Sequence, residues 1–113
     1  MHELSIAIEI IDIIQEETIK RKLKSISEVG ISLGAISGID PEALSFSFEA
    51  AAINSPLAKT KLVIEQVPVK GRCRLCGKYM QIDDFIFLCP HCDSTDIDIT
   101  QGEEINLQYL VEA

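Results

Sequence analysis

The sequence has no tryptophan, and aromatic residues make up only 5% of its 113 positions. With apolar residues at 47%, any core has to be built from aliphatic side chains. Histidine is scarce too, with only His2 and His91. No candidate nucleophile stands beside a base, and no G-x-x-x-x-G-K-[ST] phosphate loop occurs, so an enzyme is the least favoured class. Positive charge is the third shortage. Ten Lys and Arg against eighteen Asp and Glu leave a formal net charge of -8 and a pI near 4.6. Such a surface repels phosphate backbones and anionic lipid heads, and it tolerates cations. The one basic run, Lys20 to Lys24 (KRKLK), reads as the cationic end of a helix and not as a nucleic-acid patch. No apolar run reaches the length of a membrane span. The opening residues lack the basic n-region of a secretory leader. Together these shortages predict a soluble, cytoplasmic protein with no nucleic-acid and no membrane partner. In that reducing setting the four cysteines are metal ligands sooner than disulfides.

Residues 3–24 contain neither glycine nor proline. Leu4, Ala7, Ile8, Ile11, Ile14 and Thr18 recur at helical spacing, and Ile6, Ile10 and Ile13 widen the face. From Glu28 the period becomes two: Val29, Ile31, Leu33 and Ala35 alternate with Gly30, Ser32, Gly34 and Ile36, a strand with one buried and one lightly decorated face. Asp40 and Pro41 then read as the cap and first residue of a second helix running to about Ile53, with Leu44, Phe48, Ala51 and Ala52 inward. Thr60 to Val67 and Ile105 to Val111 supply two further strands. The predicted fold is α+β: a small three-stranded sheet with two helices, plus an inserted zinc-ribbon-like module. Residues 1–68 and 103–113 form the host domain and residues 69–102 the module, inserted between the last two strands. Antiparallel pairing of those two strands would bring the ends of the insertion together.

The most specific motif is Cys73-Arg74-Leu75-Cys76, twelve residues, then Cys89-Pro90-His91-Cys92. Each C-x-x-C turn places two thiolates on one ion, and two turns complete a tetrahedron. Gly77 suits a turn whose N–H groups point at sulfur, Pro90 stiffens the second turn, and the segment Asp83 to Leu88 (DDFIFL) reads as a hairpin strand covering the site. Four thiolates around zinc are coordinatively closed and redox-silent, which argues for structure over catalysis. Iron is the competing metal. His91 reads as an exposed neighbour of the site, since the four sulfurs already suffice.

The chain opens MHELS. The α-amine of Met1, the deprotonated amide of His2 and its imidazole Nδ1 can close two fused chelate rings in one plane, a geometry that suits Ni(II) or Cu(II) better than zinc. Glu3 could approach the same ion, and so could Asp40 if the fold brings it near. Each also has an ordinary reading: a solvated side chain for His2, a helix-start acid for Glu3 and a helix cap for Asp40.

MHELSIA, the segment GIDPEALSFSFE (residues 38–49) and the paired knuckles together resemble the hydrogenase nickel-incorporation family of HypA and HybF, over essentially the whole chain. The resemblance implies a nickel metallochaperone for maturation of [NiFe] hydrogenase and, in some bacteria, of urease. It implies nickel at Met1, His2 and Glu3, with Asp40 a ligand in some members, and structural zinc on Cys73, Cys76, Cys89 and Cys92. It further implies work with the nickel-handling GTPase HypB, delivery to the hydrogenase large subunit, contact with urease maturation factors, and a monomer or homodimer. The chain lacks a phosphate loop, so GTP hydrolysis would belong to the partner. A competing reading, a zinc-ribbon adaptor for protein or nucleic acid, accounts for the cysteines alone.

Overall fold

Lys22 stops the first helix. In the computed structural model, which describes residues 2–113, helix α1 covers His2–Lys20. Lys22 adopts φ 56°, Leu23 N–H donates to Thr18 O at 2.9 Å, and Lys22 N–H donates to Ile19 O at 3.2 Å. This is a Schellman ending with lysine in the left-handed position usually held by glycine. The expected helix to Lys24 is therefore too long, and most of the KRKLK run lies beyond it. The buried stripe is Ala7, Ile10, Ile11 and Ile14, while Leu4 and Ile8 are exposed. A helix with isoleucine on nearly every side does not set its own phase. Its packing against the second helix, α2 (Pro41–Ala52), takes part in deciding it. On α2 the buried residues are Leu44, Ser47, Phe48 and Ala52, with Ser47 in place of the expected Ala51.

Strand β1 (Ile26–Gly34) is buried along almost its whole length, because it is the middle strand of a sheet ordered β2-β1-β6, with β2 at Lys61–Val67 and β6 at Ile105–Glu112. Its lightly decorated side is covered from β6. A Cβ on Gly30 would fall 2.0 Å from the Tyr109 ring, so glycine there makes the seat for the tyrosine. Tyr109 donates to Glu28 at 2.6 Å, and Gln108 donates to Ser32 at 3.0 Å.

Thr60 Oγ1 donates to Ile26 O, and Ala35 N–H donates to Val67 O. Starts and ends thus match, so β1 and β2 run in the same direction, joined by α2 as the crossover that parallel strands require. Ala113 N–H reaches Ser25 O and Gly34 N–H reaches Glu104 O, so β6 runs opposite to β1. The expected pairing of β2 with β6 is corrected here: β1 lies between them. The physical reason is its composition, small or apolar on both faces and so able to take a neighbour on each edge. Val67, Gly102 and Glu104 all bond to residues 34–36, so residue 67 and residues 102–104 lie side by side there.

Contacts divide the chain into two compact units. The first comprises residues up to Ser32, Ile39–Glu65 and Asn106–Ala113, and the second comprises Leu33–Gly38 and Gln66–Ile105. In the second, β3 (Val69–Cys73) is central between β4 (Tyr79–Ile82) and β5 (Ile97–Gln101), antiparallel to both. Val69, Met80, Ile82 and two cysteines form its core, with Ile36, Phe87, Ile97 and Ile99 packed on it. The segment Asp83 to Leu88 is not the expected strand. Asp84 and Phe85 both take positive φ (53° and 58°) and Ile86 N–H donates to Asp83 O, a tight turn after β4. Phe85, Ile86 and Leu88 are exposed. Met80 and Ile82 already fill the hairpin's inner face, and a continuous apolar run without period two has no second face to hide.

Candidate metal centre

The two knuckles repeat one backbone pattern. In the first, Cys73 N–H donates to Lys78 O and Gly77 N–H to Cys73 O; in the second, Cys89 N–H donates to Ser94 O and Asp93 N–H to Cys89 O, all at 2.8–2.9 Å. The residue after each second cysteine lies in the left-handed region, Gly77 at φ 77° and Asp93 at φ 61°. Aspartate is among the few side chains that tolerate it. The sequence pointed to Gly77 in the first turn but not to Asp93 in the second.

The pattern brings the four sulfurs of Cys73, Cys76, Cys89 and Cys92 within 4.8 Å of one another. Cys73 and Cys92 are 3.5 Å apart and Cys76 and Cys89 3.6 Å apart. Sulfurs about 2.3 Å from a tetrahedral zinc stand roughly 3.8 Å apart, so the set fits that ion with little adjustment. Backbone N–H groups of Cys76 and His91 point at the sulfurs of Cys73 and Cys89, each at 3.4 Å. Donors aimed at sulfur stabilise thiolates. The Cys76 N–H, with help from Leu75 and the neighbouring thiols, lowers the Cys73 thiol to about 6. The Ser94 backbone contact pulls Cys92 the same way, but burial and the three surrounding sulfurs outweigh it and push Cys92 up to about 12. A cluster that holds Cys73 easily as a thiolate and resists ionising Cys92 suits a cation.

The surroundings tie the first knuckle to β4 and β5. Arg74, inside the first knuckle, binds Asp98 at 2.7 Å and Asp96 at 3.5 Å, and Arg72 lies 5.8 Å from the Tyr79 ring centre. These partners were not singled out from the sequence. Ile97 and Ile99, alternating with Asp98, were the available signal for the strand that carries them.

The amino-terminal candidates are placed differently. Met1 lies outside the described residues. His2 is the first residue of α1 and exposed, and Glu3 is half-buried in the first turn. Asp40 caps α2, its Oδ1 accepting from Glu42 N–H at 3.3 Å. Among the described residues only the four cysteines form a group of three or more metal-binding side chains, so His2, Glu3 and Asp40 do not converge. His91 is exposed between Pro90 and Cys92, and it contributes its backbone N–H to the cluster.

Comparison with known proteins decides what frame this centre belongs to. A family model described as hydrogenase/urease nickel incorporation, metallochaperone, HypA matches residues 1–111. The chain belongs to the HypA family. A hydrogenase maturation factor HypA from Chlorobium luteolum is 38% identical over 111 residues, covering 98% of this chain and 95% of that one. One from Chloroflexus aggregans is 39% identical over 111 residues, with 97% of each chain covered. The solution structure of the nickel metallochaperone HypA from Helicobacter pylori aligns at TM-score 0.72 and 26% identity over 97% of this chain and 96% of that one. The HypA family is one of metallochaperones in hydrogenase maturation and not of catalysts. Among the described residues, no helix of this member is long and apolar enough to cross a membrane.

Proposed function

We propose that this HypA-family chain carries Ni(II) at its amino terminus and hands it on during maturation of [NiFe] hydrogenase, while the four cysteines hold structural zinc. The observation that carries the reading is the closed sulfur set. Four sulfurs within 4.8 Å of one another complete one ion's coordination and leave no open position there for a cargo metal. Cargo has to sit elsewhere, and the Met1 amine, the His2 amide and imidazole, and the Glu3 carboxylate offer a planar, exchangeable site. Because α1 starts at His2, its first amides have no intrahelical carbonyl to bond, so metallating the His2 nitrogen breaks no helix hydrogen bond. The amine and imidazole must be unprotonated to bind, so nickel affinity falls as pH drops below neutrality. The cytoplasm, the GTPase HypB and the hydrogenase large subunit complete this reading, and urease maturation factors join it through the description of the family.

The test is nickel titration of zinc-loaded protein, native against a form with Gly-Ser added before Met1. The extension leaves His2 and Glu3 in place and removes only the chelating amine. Stoichiometric nickel binding is expected to vanish in the extended form. Equal binding by both forms would overturn the amine-based site.

Asp40 calls for a separate comparison. Asp40→Ala removes cap and carboxylate together and is expected to cost about 1 kcal/mol of stability. Asp40→Ser keeps the cap and removes only the carboxylate. If Asp40 is a nickel ligand, the serine variant folds like the native protein but binds nickel more weakly in the same titration; unchanged binding leaves Asp40 a cap.

A further inference from the structure

We infer that the metal centre opens from its second knuckle, and that Arg74 is the positioning residue that keeps the first knuckle closed on the ion. The inference rests on the structural zinc proposed above. In each knuckle the first cysteine is buried and the second is more open to solvent, so exposure does not rank Cys76 against Cys92. What ranks them is how each turn is fastened. The first turn grows out of a strand: Cys73 ends β3 and pairs with Ile97 of β5. Arg74 adds a clamp. Its N–H donates to Asp96 O at 3.0 Å, and its guanidinium holds Asp98 at 2.7 Å and Asp96 at 3.5 Å. Arg72 closes the turn from behind, its Nε donating to Gly77 O at 3.2 Å.

The second turn has no such hold. Among the described residues, the hydrogen bonds of residues 89–94 all end within residues 89–96, apart from the contacts between sulfurs. The turn is entered from residues 83–88, which form no strand. Burial of Cys89, with Phe87 packed on the same core, is what holds it from outside. Local charge points the same way. Four thiolates on one Zn(II) leave the centre two negative charges. Arg72, Arg74 and Lys78 flank the first knuckle, with no acid from Gln66 to Ile82, whereas Asp93 directly follows the second. A cation near a thiolate favours its charged, metal-holding form, and a like charge opposes it. Cys76 is therefore kept on the ion by its turn, and Cys92 is the first sulfur to lift off and meet an electrophile.

Alkylation of the zinc-loaded full chain by N-ethylmaleimide, quenched over time and mapped by peptide mass spectrometry, tests this, with zinc release followed in parallel by a coloured chelator. Cys92 is expected to be modified first, roughly threefold or more faster than Cys76. Asp98→Asn leaves the knuckle sequence and its cations intact but removes the charge that anchors the clamp. It is expected to speed modification of Cys76 about threefold to fivefold, the scale of an exposed ion pair, and to leave Cys92 unchanged. Arg74→Gln should do the same, and Arg74→Lys should fall between it and the native chain. Variants that react faster at both cysteines alike show a generally loosened module and overturn the role of Arg74. Modification of Cys76 before Cys92 in the native zinc-loaded chain overturns the order of opening, and needs no variant to show it. A centre found without zinc overturns this inference together with the structural-zinc proposal, whereas Cys76-first labelling with zinc bound overturns this inference alone.

Discussion

Chelating the metal from the four-cysteine centre is expected to abolish the folded β3–β5 unit. Its core consists of Val69, Met80 and Ile82 with a rim of half-buried residues, and two of the most deeply buried members are the ligands Cys73 and Cys89 themselves. A segment this small has too little apolar surface to offset the entropy of ordering it, and such modules rely on a metal. Structural zinc in small domains supplies roughly 10–16 kcal/mol at neutral pH. Without it, four sulfurs crowd within 4.8 Å of one another, one readily ionised and one resisting ionisation up to about pH 12. Nothing else in the module replaces that lost free energy. The predicted signature is loss of dispersed amide resonances for residues 69–101 on adding a chelator, with those of α1 and α2 retained. Cys73→Ser and Cys89→Ser should do the same with zinc present. Sharp, dispersed β3–β5 resonances in the metal-free chain would show that the hydrophobic cluster suffices alone. The proton balance gives a second readout. Binding zinc at neutral pH must displace the proton held by Cys92, so loading releases protons. Affinity should rise with pH and fall as acid reprotonates the sulfurs.

What could be read from the sequence was whatever is carried by neighbours along the chain. The cysteine spacing specifies a metal turn locally, and the structure brings those four residues together. Asp40-Pro41 marks the start of α2 because a cap needs only its own helix. Period two marks β6 because alternation is a property of one strand. What was not legible depends on partners distant in sequence. The phase of α1 is one case, since isoleucine on every side leaves the choice of buried face to the surrounding packing. The place of β1 between β2 and β6 is another: its glycine and serine face looked merely unadorned until Tyr109 and Gln108 were seen to cover it. The turn at Asp84 and Phe85 was hidden because phenylalanine is not a usual choice for positive φ. The proposed nickel site stands apart from both kinds: its candidate donors lie in the first three residues, and Met1 is outside the described residues.

Replacing Gly34 by alanine is expected to cost about 3 kcal/mol, toward the upper end for inserting one carbon into a packed site. β1 ends at Gly34, where the chain passes directly over the Gly102–Glu103 peptide. A Cβ at this point would lie 2.1 Å from Gly102 O and 2.2 Å from its carbonyl carbon. Those atoms are backbone and cannot rotate aside. Gly102 cannot yield toward β3 either, since its own φ is +109° and a Cβ there would meet Val69 Cα at 2.8 Å. Relief therefore requires moving a strand end, which strains the bonds Gly34 N–H to Glu104 O, Ile36 N–H to Gly102 O and Ala35 N–H to Val67 O. Those three bonds fasten both ends of the inserted segment to the end of β1. Gly38 supplies the control. It has φ +80° with nothing within 4 Å of an added Cβ, so Gly38→Ala incurs only backbone strain, about 1 kcal/mol. Thermal unfolding of the zinc-loaded variants should place Gly34→Ala roughly 10 °C below the native protein and Gly38→Ala only a few degrees below. Equal losses would mean that the crossing at Gly34 is loose enough to admit a methyl group, and that the insertion is held by its strands and not by this contact.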